Sequence, residues 1–319
     1  MMTASRSTPR ETLSVSEVYI LRPDVYREVV KHVDAGKKIA AIKLVRSSCK
    51  DDNNSQHNIA SENSYTLESK SIDILQNIEG QNYLRNVIIQ APINIEEGKI
   101  YPIVFAFHGR GGNNVSWINK LNLFTITGEF IGIYPQGFLE SWNLGTEPST
   151  ADDVEFVDLI VEELQNYNNL DFERMYAIGT SNGAGMVNKL ALETNHFKAI
   201  SPVVSQLIES LQFSETTQPT SVFQVNGAGD TTVPIEGGLR MGHNFLDAYE
   251  SASLWASEFN CNDSPEIIYL GDDTLYVFES CDEDKEIQYL RIENGEHNLH
   301  WGPGSQQLFQ EIWDFLKRF

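Results

Sequence analysis

Cysteine and long apolar runs are scarce in this chain. It has three cysteines in 319 residues, too few for a disulfide scaffold, and their spacing is not that of a zinc site. No segment approaches the roughly 20 apolar residues of a membrane span. The first 19 residues lack the apolar core of a secretory signal. We therefore expect no membrane partner, no metal and no other cofactor, and either a cytosolic location or a missing natural leader.

Basic residues are also scarce. The chain has 23 Lys and Arg against 45 Asp and Glu, a formal net charge of -22, so nucleic acid is not an expected partner. The imbalance is uneven, because residues 1–50 hold ten basic and five acidic residues while the remainder holds 13 basic and 40 acidic. This difference predicts two modules.

The domain prediction follows from composition and periodicity. Residues 1–50 are predicted to form a small basic helical module, a helix pair that begins near Pro23 and either docks on a protein partner or stabilises the chain. Residues 51–67, rich in Ser, Asn and Asp, are predicted to be a polar linker. Residues 68–319 are predicted to form one large globular domain.

Apolar segments of strand length alternate with amphipathic segments from about residue 68. Strands are predicted near 83–92, 101–109, 130–135, 175–181, 221–227 and 286–295, and helices within 152–167, 242–259 and 305–319. Asp152 and Asp153 lie where a helix N-terminus favours negative charge. The alternation predicts an α/β fold with a mostly parallel sheet that helices cover on both faces.

A Gly-x-Ser-x-Gly pattern surrounds Ser181 in "IGTSNGAGM". The string alone is moderate evidence, but it follows a predicted strand and precedes a helical segment. A nucleophilic serine needs this strand, sharp turn and helix, with flanking glycines that let neighbouring backbone approach. Ser181 is therefore the predicted nucleophile, and a serine in an ordinary turn is the alternative.

A serine nucleophile needs a histidine base and a carboxylate, which in this arrangement follow it as acid first and histidine last. Asp230 follows the predicted strand 221–227 and is the expected acid, with a turn-capping Asp as the alternative. The loop after the last predicted strand holds His297 and His300. His297 is preferred as the base because it comes first, and His300 remains open.

Donors for a developing oxyanion are expected at two places. One is the main-chain N–H that follows the nucleophile, at Asn182. The other is the N–H of Arg110 in "FHGRGGN", where glycines permit close backbone approach. A merely structural glycine turn is the alternative for this second segment.

Taken together, "FHGRGGN", "YPQGFLESWN", "DDVEFVDLI", "IGTSNGAGM", "GDTTVPIEGG" and the "HWGPG" loop resemble the secreted polyhydroxybutyrate depolymerase and feruloyl esterase family of α/β-hydrolases, over about residues 75–319. The resemblance implies a serine esterase of hydroxyalkanoate or plant-wall aromatic esters, with Ser181, Asp230 and His297 as its triad. Trp142 matches a family position close to the active site, where it is expected to bind substrate unless it is a core residue.

This chain departs from the family pattern at three places. Ala184 stands where the family usually has Gly, and Asn226 stands where it usually has His. The loop between the histidine and Trp301 is longer, which keeps His300 open as the base. The resemblance also implies that Cys261 and Cys281 are paired, leaving Cys49 free. A pair would favour an extracellular or periplasmic location; two buried free thiols in a cytosolic protein are the alternative.

A triad specifies chemistry at the acyl carbon but not the acceptor. An acyltransferase or a serine peptidase on the same fold therefore remains open beside an esterase. A catalytically silent scaffold whose N-terminal helices recruit a partner is the third alternative.

Overall fold

A computed structural model of the chain describes residues 65–302 and 304–319. The predicted helical module, most of the predicted linker and Cys49 lie outside these residues. Residues 65–67 contact the rest of the described chain, since Tyr65 N–H donates to Asn166 O (2.8 Å) and Leu67 is buried in the core.

Across the described residues, ten strands form one sheet in the order β1-β2-β4-β3-β5-β6-β7-β12-β11-β10. The six central strands, from β4 to β12, run parallel, and two antiparallel strands flank them at each edge. Two short strands, β8 and β9, form a separate hairpin. The strands are β1 Lys70–Ile78, β2 Gln81–Gln90, β3 Tyr101–Phe107, β4 Ile131–Pro135, β5 Leu170–Thr180, β6 Ala199–Val203, β7 Ser221–Gly227, β8 Gly238–Arg240, β9 His243–Phe245, β10 Glu266–Leu270, β11 Asp273–Phe278 and β12 Ile287–Ile292.

Helices cover both faces of the sheet, as the alternating pattern predicted. The helices are α1 Ser116–Ile126, α2 Asp153–Leu164, α3 Asn182–Glu193, α4 Ala248–Glu258 and α5 Ser305–Leu316. One apolar core joins α2, α3 and α4 to one face, and another joins α1 and α5 to the opposite face. Alternate residues of β3 enter the two cores: Phe105 and Phe107 face the first, Val104 and Ala106 the second. Burial on both faces explains why the central strands are nearly continuously apolar.

Local capping explains where two helices begin. The Asp152 carboxylate accepts a hydrogen bond from Glu155 N–H at the start of α2. Asp247 accepts from Tyr249 and Glu250 N–H at the start of α4. The expected helix within 242–259 therefore begins only at Ala248, and the prediction was wrong for His243–Phe245, which form β9. None of the described helices is long and apolar enough to span a bilayer.

Candidate active site

Ser181 occupies the sharp turn between β5 and α3. Its backbone has φ 56° and ψ −120°, a strained positive-φ conformation outside the left-handed helical region that a non-glycine residue rarely adopts. The Ser181 N–H donates to Val203 O (3.0 Å), and its carbonyl accepts from Ala184 N–H (2.8 Å). The turn places the serine side chain beyond the end of the central strand.

Gly179 and Gly183, two residues either side of Ser181, allow this turn to pack. A Cβ on Gly179 would lie 2.0 Å from the Gly183 carbonyl oxygen, and a Cβ on Gly183 would lie 2.2 Å from the Phe107 carbonyl oxygen. Neither neighbour is a flexible side chain that could move aside. The two glycines of the motif are therefore required by close backbone approach across the turn.

His297 lies between the other two predicted residues. Its Nε2 is 2.9 Å from Ser181 Oγ, and its Nδ1 is 2.7 Å from Asp230 Oδ2. The three side chains follow β5, β7 and β12, whose carboxyl ends meet at one edge of the parallel sheet. The structure thus brings together Ser181, Asp230 and His297 in one hydrogen-bonded chain.

The Asp230 carboxylate is buried and fully engaged. Its Oδ1 accepts from Thr232 N–H (2.8 Å) and Val233 N–H (2.9 Å), which leaves Oδ2 for His297. Because a carboxylate only accepts, His297 Nδ1 carries a proton toward it. In the neutral ring, Nε2 is then the acceptor that faces the Ser181 hydroxyl.

His300 does not share this position. It is 5% exposed, and its ring stacks on Trp301 with 4.6 Å between ring centroids. No residue of the described ranges hydrogen-bonds to its Nδ1. Burial, with smaller contributions from Lys120 and His297, lowers its pKa to about 3. His297, and not His300, lies within hydrogen-bond distance of Ser181 Oγ, so the geometry favours His297 as the base.

The two predicted oxyanion donors flank Ser181. Arg110 and Asn182 line the same small pocket as the serine. Asn182 is the first residue of α3, where a main-chain N–H has no acceptor within its own helix. Both residues belong to segments next to the serine turn, so their role as oxyanion donors stays a prediction.

His108, which sequence reasoning passed over, supports the Arg110 segment. Its Nδ1 donates to Gly109 O (2.8 Å), and its Nε2 accepts from Gly137 N–H (3.0 Å). Burial is the main reason that its pKa falls to about 4, with Arg85 and Lys120 adding to the effect against the bond to Gly109. His108 is therefore a neutral group that ties this loop to the segment after β4.

Trp142 does not reach the pocket. It is fully buried, and its indole N–H donates to His108 O (2.8 Å). Its main-chain N–H donates to Asn182 Oδ1 (2.7 Å), and its carbonyl accepts from Asn182 Nδ2 (3.0 Å). Trp142 thus has the buried environment of the core alternative, and it joins the Arg110 segment to Asn182 through its indole and its main chain.

A buried ion pair fixes the loops that flank Trp142. Arg85 lies 2.7 Å from Asp153 Oδ1 and donates to Gln136 O (3.0 Å). Asp153 Oδ2 in turn accepts from Asn143 N–H (2.7 Å). The pair thus joins β2 to the start of α2, and through Gln136 and Asn143 it holds the connection between β4 and α2.

A second histidine and carboxylate line the pocket beside Ser181. His243 Nε2 lies 2.7 Å from Glu147 Oε1 and 2.8 Å from Thr146 Oγ1. Sequence reasoning missed this pair because its members are 96 residues apart and His243 falls in a segment whose pattern favours a helix. No short motif marks either residue.

Within the described ranges, no cluster of three or more His, Cys, Asp and Glu side chains is arranged to hold a metal ion. Cys261 and Cys281, which bracket the β10–β11 hairpin, form a disulfide. The pairing that the family resemblance implied is therefore present in the structure.

Sequence comparison relates the chain to feruloyl esterases. A probable feruloyl esterase C of Aspergillus terreus is 23% identical over 250 residues, which cover 76% of this chain and 86% of that protein. Feruloyl esterase B of Piromyces equi is 26% identical over 252 residues, which cover 74% of this chain but 45% of that protein. The chain thus spans less than half the length of the Piromyces relative. No protein-family model matches the chain.

Solved structures share the fold. The acetyl xylan esterase from Aspergillus awamori superposes with a TM-score of 0.55 at 16% identity, over 77% of this chain and 99% of that one. A Pyrococcus horikoshii acylaminoacyl peptidase superposes with a TM-score of 0.52 at 15% identity, over 80% of this chain and 41% of that one. The domain has the α/β-hydrolase fold, as expected from the sequence.

Proposed function

We propose that this carboxylesterase-type α/β-hydrolase, which is similar to feruloyl esterases, cleaves carboxylic esters through an acyl-enzyme on Ser181. The observation that carries the proposal is the hydrogen-bonded chain from Ser181 Oγ through His297 to Asp230. A serine hydroxyl is a weak nucleophile at neutral pH, and this arrangement supplies the base and the carboxylate that activate it.

In the first half of the reaction, His297 Nε2 takes the Ser181 proton as Oγ attacks the ester carbonyl carbon. The developing oxyanion is bound by the main-chain N–H groups of Arg110 and Asn182. Asp230 keeps the His297 proton on Nδ1 and stabilises the imidazolium. Collapse of the tetrahedral intermediate breaks the bond to the alcohol oxygen, which leaves with the proton that His297 returns.

In the second half, His297 takes a proton from water, and the resulting hydroxide attacks the acyl carbonyl carbon. The second tetrahedral intermediate uses the same two N–H donors. Its collapse releases the carboxylic acid and returns the proton to Ser181 Oγ. The cycle leaves the protein unchanged and consumes one ester and one water.

The names of the relatives, among them feruloyl esterases and a bifunctional acetylxylan esterase/xylanase, support an ester of a plant-wall aromatic acid or a related acyl group as substrate. A hydroxyalkanoate ester stays open from the family resemblance. The Cys261–Cys281 disulfide supports maturation in an oxidising compartment, extracellular or periplasmic. The docking role of residues 1–50 stays a prediction.

The test keeps the acyl group of the substrate constant and varies the leaving group and the acceptor of the acyl group. The purified chain is given a p-nitrophenyl ester, the matching p-nitroanilide, and the ester with added alcohol acceptors. We expect hydrolysis of the ester, little cleavage of the anilide, and free acid as the main product when alcohol is present. Rapid anilide cleavage would favour a peptidase, a dominant new ester would favour an acyltransferase, and no turnover at all would favour a silent scaffold.

A further inference from the structure

The pocket beside Ser181 includes Arg110 and Asn182, the two expected oxyanion donors. The leaving alcohol must stand near His297 Nε2, from which it receives its proton. The pocket is lined by Ser181, Arg110 and Asn182, whereas His297 is not among its lining residues. A group that enters this pocket from an ester bound at Ser181 is therefore the acyl group, and the alcohol leaves on the other side.

The walls of this pocket are mainly apolar. Leu144, Ile208, Val233 and Phe245 contribute side chains, and Met241 of the β8–β9 turn closes one side. The polar exceptions include the imidazole of His243 and the carboxylate of Glu147. A polar pair in a mainly apolar pocket is the usual means by which a site selects one functional group on its ligand.

The hydrogen bonds between His243 and Glu147 determine which nitrogen of the His243 ring is available to a ligand. Glu147 Oε2 accepts from Leu144 N–H (2.9 Å) and Thr146 N–H (3.2 Å), so Oε1 faces His243 Nε2 at 2.7 Å. The carboxylate can only accept, so Nε2 carries a proton. Among the described residues none hydrogen-bonds to His243 Nδ1, which in the neutral ring is an acceptor with no protein partner.

We infer that His243, held by Glu147, accepts a hydrogen bond from a hydroxyl on the acyl group of the substrate and thereby selects hydroxylated acyl groups. This inference rests on the proposed ester hydrolysis at Ser181. The ligand chemistry that the pocket would recognise is an apolar acyl group that carries one hydroxyl. A hydroxycinnamoyl group and a hydroxyalkanoyl group both have it, and the test below distinguishes them.

A purely structural role for the pair makes a different prediction. His243 belongs to β9, and Thr146 Oγ1 also donates to Met241 O (3.2 Å), so the pair ties the β8–β9 hairpin to the Thr146 segment. This structural contact between the hairpin and the Thr146 segment needs only the proton on His243 Nε2. Glutamine places an amide N–H near the position of His Nε2 but has no acceptor equivalent to Nδ1. His243→Gln therefore keeps the tie and removes the proposed recognition.

The experiment uses the full chain and methyl esters, so that the leaving group is constant. Methyl 4-hydroxycinnamate is compared with methyl cinnamate and with methyl 4-methoxycinnamate, which matches its electronic effect without a donor. Methyl 3-hydroxybutyrate is compared with methyl butyrate. We expect kcat/KM to favour the hydroxylated member of at least one set by about tenfold, the range for one hydrogen bond in an apolar site.

His243→Gln is expected to lose that preference, so that the ratio of kcat/KM between the hydroxylated and unhydroxylated members of each set falls to about one. His196→Gln is the matched control, because His196 also pairs with a carboxylate, Asp158, at 2.6 Å but lies outside the pocket. It should keep the preference. Equal rates within both sets for wild type, or a preference that survives in His243→Gln, would overturn the inference.

Glu147→Gln is the second variant if His243→Gln does not fold. Two main-chain N–H groups hold the amide oxygen at the Oε2 position, so the new NH2 group faces His243 and moves the ring proton to Nδ1. The variant also removes the acceptor of Asn182 Nδ2 (3.3 Å), an effect that both members of a substrate set share, so the preference within a set is the readout. The hydroxyl preference should again be lost, and its retention would contradict the inference. Wild type that hydrolyses no ester would refute ester hydrolysis itself, whereas indiscriminate hydrolysis would refute only the selection.

Discussion

Asn182 and Trp142 exchange two hydrogen bonds: Asn182 Oδ1 accepts from the Trp142 N–H at 2.7 Å, and Asn182 Nδ2 donates to the Trp142 carbonyl at 3.0 Å. The same tryptophan donates its indole N–H to His108 O. One buried residue thus links Asn182, through its main chain, to the Arg110 loop, through its indole. If Arg110 and Asn182 are the oxyanion donors, as proposed, their relative position depends on this link.

Asn182→Ala keeps the main-chain N–H but removes both bonds to Trp142. We expect kcat to fall about tenfold with a smaller change in KM, because a misplaced donor weakens binding of the oxyanion more than binding of the ester. Asn188→Ala is the control on the same helix, since the Asn188 amide is buried but has no hydrogen-bond partner among the described residues. Steady-state kinetics that rank the two variants equally would contradict the positioning role.

The two histidines of the last loop should differ sharply. His297→Ala is expected to lower kcat/KM by at least about 10³-fold, because Ser181 loses its hydrogen-bonded base. His300→Phe keeps an aromatic ring against Trp301 and should stay within about tenfold of wild type. Initial rates on a p-nitrophenyl ester measure both, and the opposite ranking would move the base to His300.

Chain order and local pattern were enough to predict which serine, aspartate and histidine the structure brings together. The glycines that flank Ser181 indicate a tight turn from the local sequence alone. Asp230 and His297 each follow an apolar strand. Glu147 and His243 could not be found this way, because their contact depends on where the β8–β9 hairpin folds back. The position of Trp142 could not be predicted either, because a tryptophan is equally compatible with the core and with a substrate contact.

The strands were easier to predict than the helix boundaries. The central strands are buried on both faces, which gives continuous apolar runs that stand out in the sequence. The segment before α4 has an apolar pattern compatible with a helix, yet His243–Phe245 pair as a strand with Gly238–Arg240. That pairing is a tertiary contact, and it outweighs the local preference.

Acid should destabilise the folded protein through two buried histidines. Burial lowers the pKa of His108 to about 4 and that of His300 to about 3, whereas unfolded histidine titrates near 6.5. Below pH 6.5 the unfolded chain therefore binds protons that the folded chain does not, and the free energy of unfolding falls as pH falls until these lowered pKa values are reached. Each histidine is expected to cost of the order of 2 kcal/mol at pH 5.

Chemical denaturation of the wild type and His300→Phe at pH 7.5 and pH 5 measures this effect. His300→Phe removes one of the two titrating groups, so its free energy of unfolding should change about half as much between the two values as that of the wild type. An identical pH dependence in both proteins would show that His300 does not contribute.

The Cys261–Cys281 disulfide closes a loop with a sequence separation of 20 residues. In the chain-entropy model such a bridge stabilises the fold by about 3 kcal/mol, so Cys261→Ser/Cys281→Ser should lower the free energy of unfolding by about that amount. Thiol titration in denaturant should count one free thiol, Cys49, before reduction and three after it. Three thiols before reduction would contradict the bridge.

The central claim is that Ser181 is the nucleophile of an ester hydrolase, and the kcat/KM of Ser181→Ala tests it most directly. The measurement uses p-nitrophenyl acetate, with circular dichroism to confirm that the variant is folded. The account predicts a loss of several orders of magnitude in a protein of unchanged fold, because no other described group stands 2.9 Å from His297 Nε2 in place of the serine oxygen. A folded Ser181→Ala protein that hydrolyses the ester at the wild-type rate would contradict it.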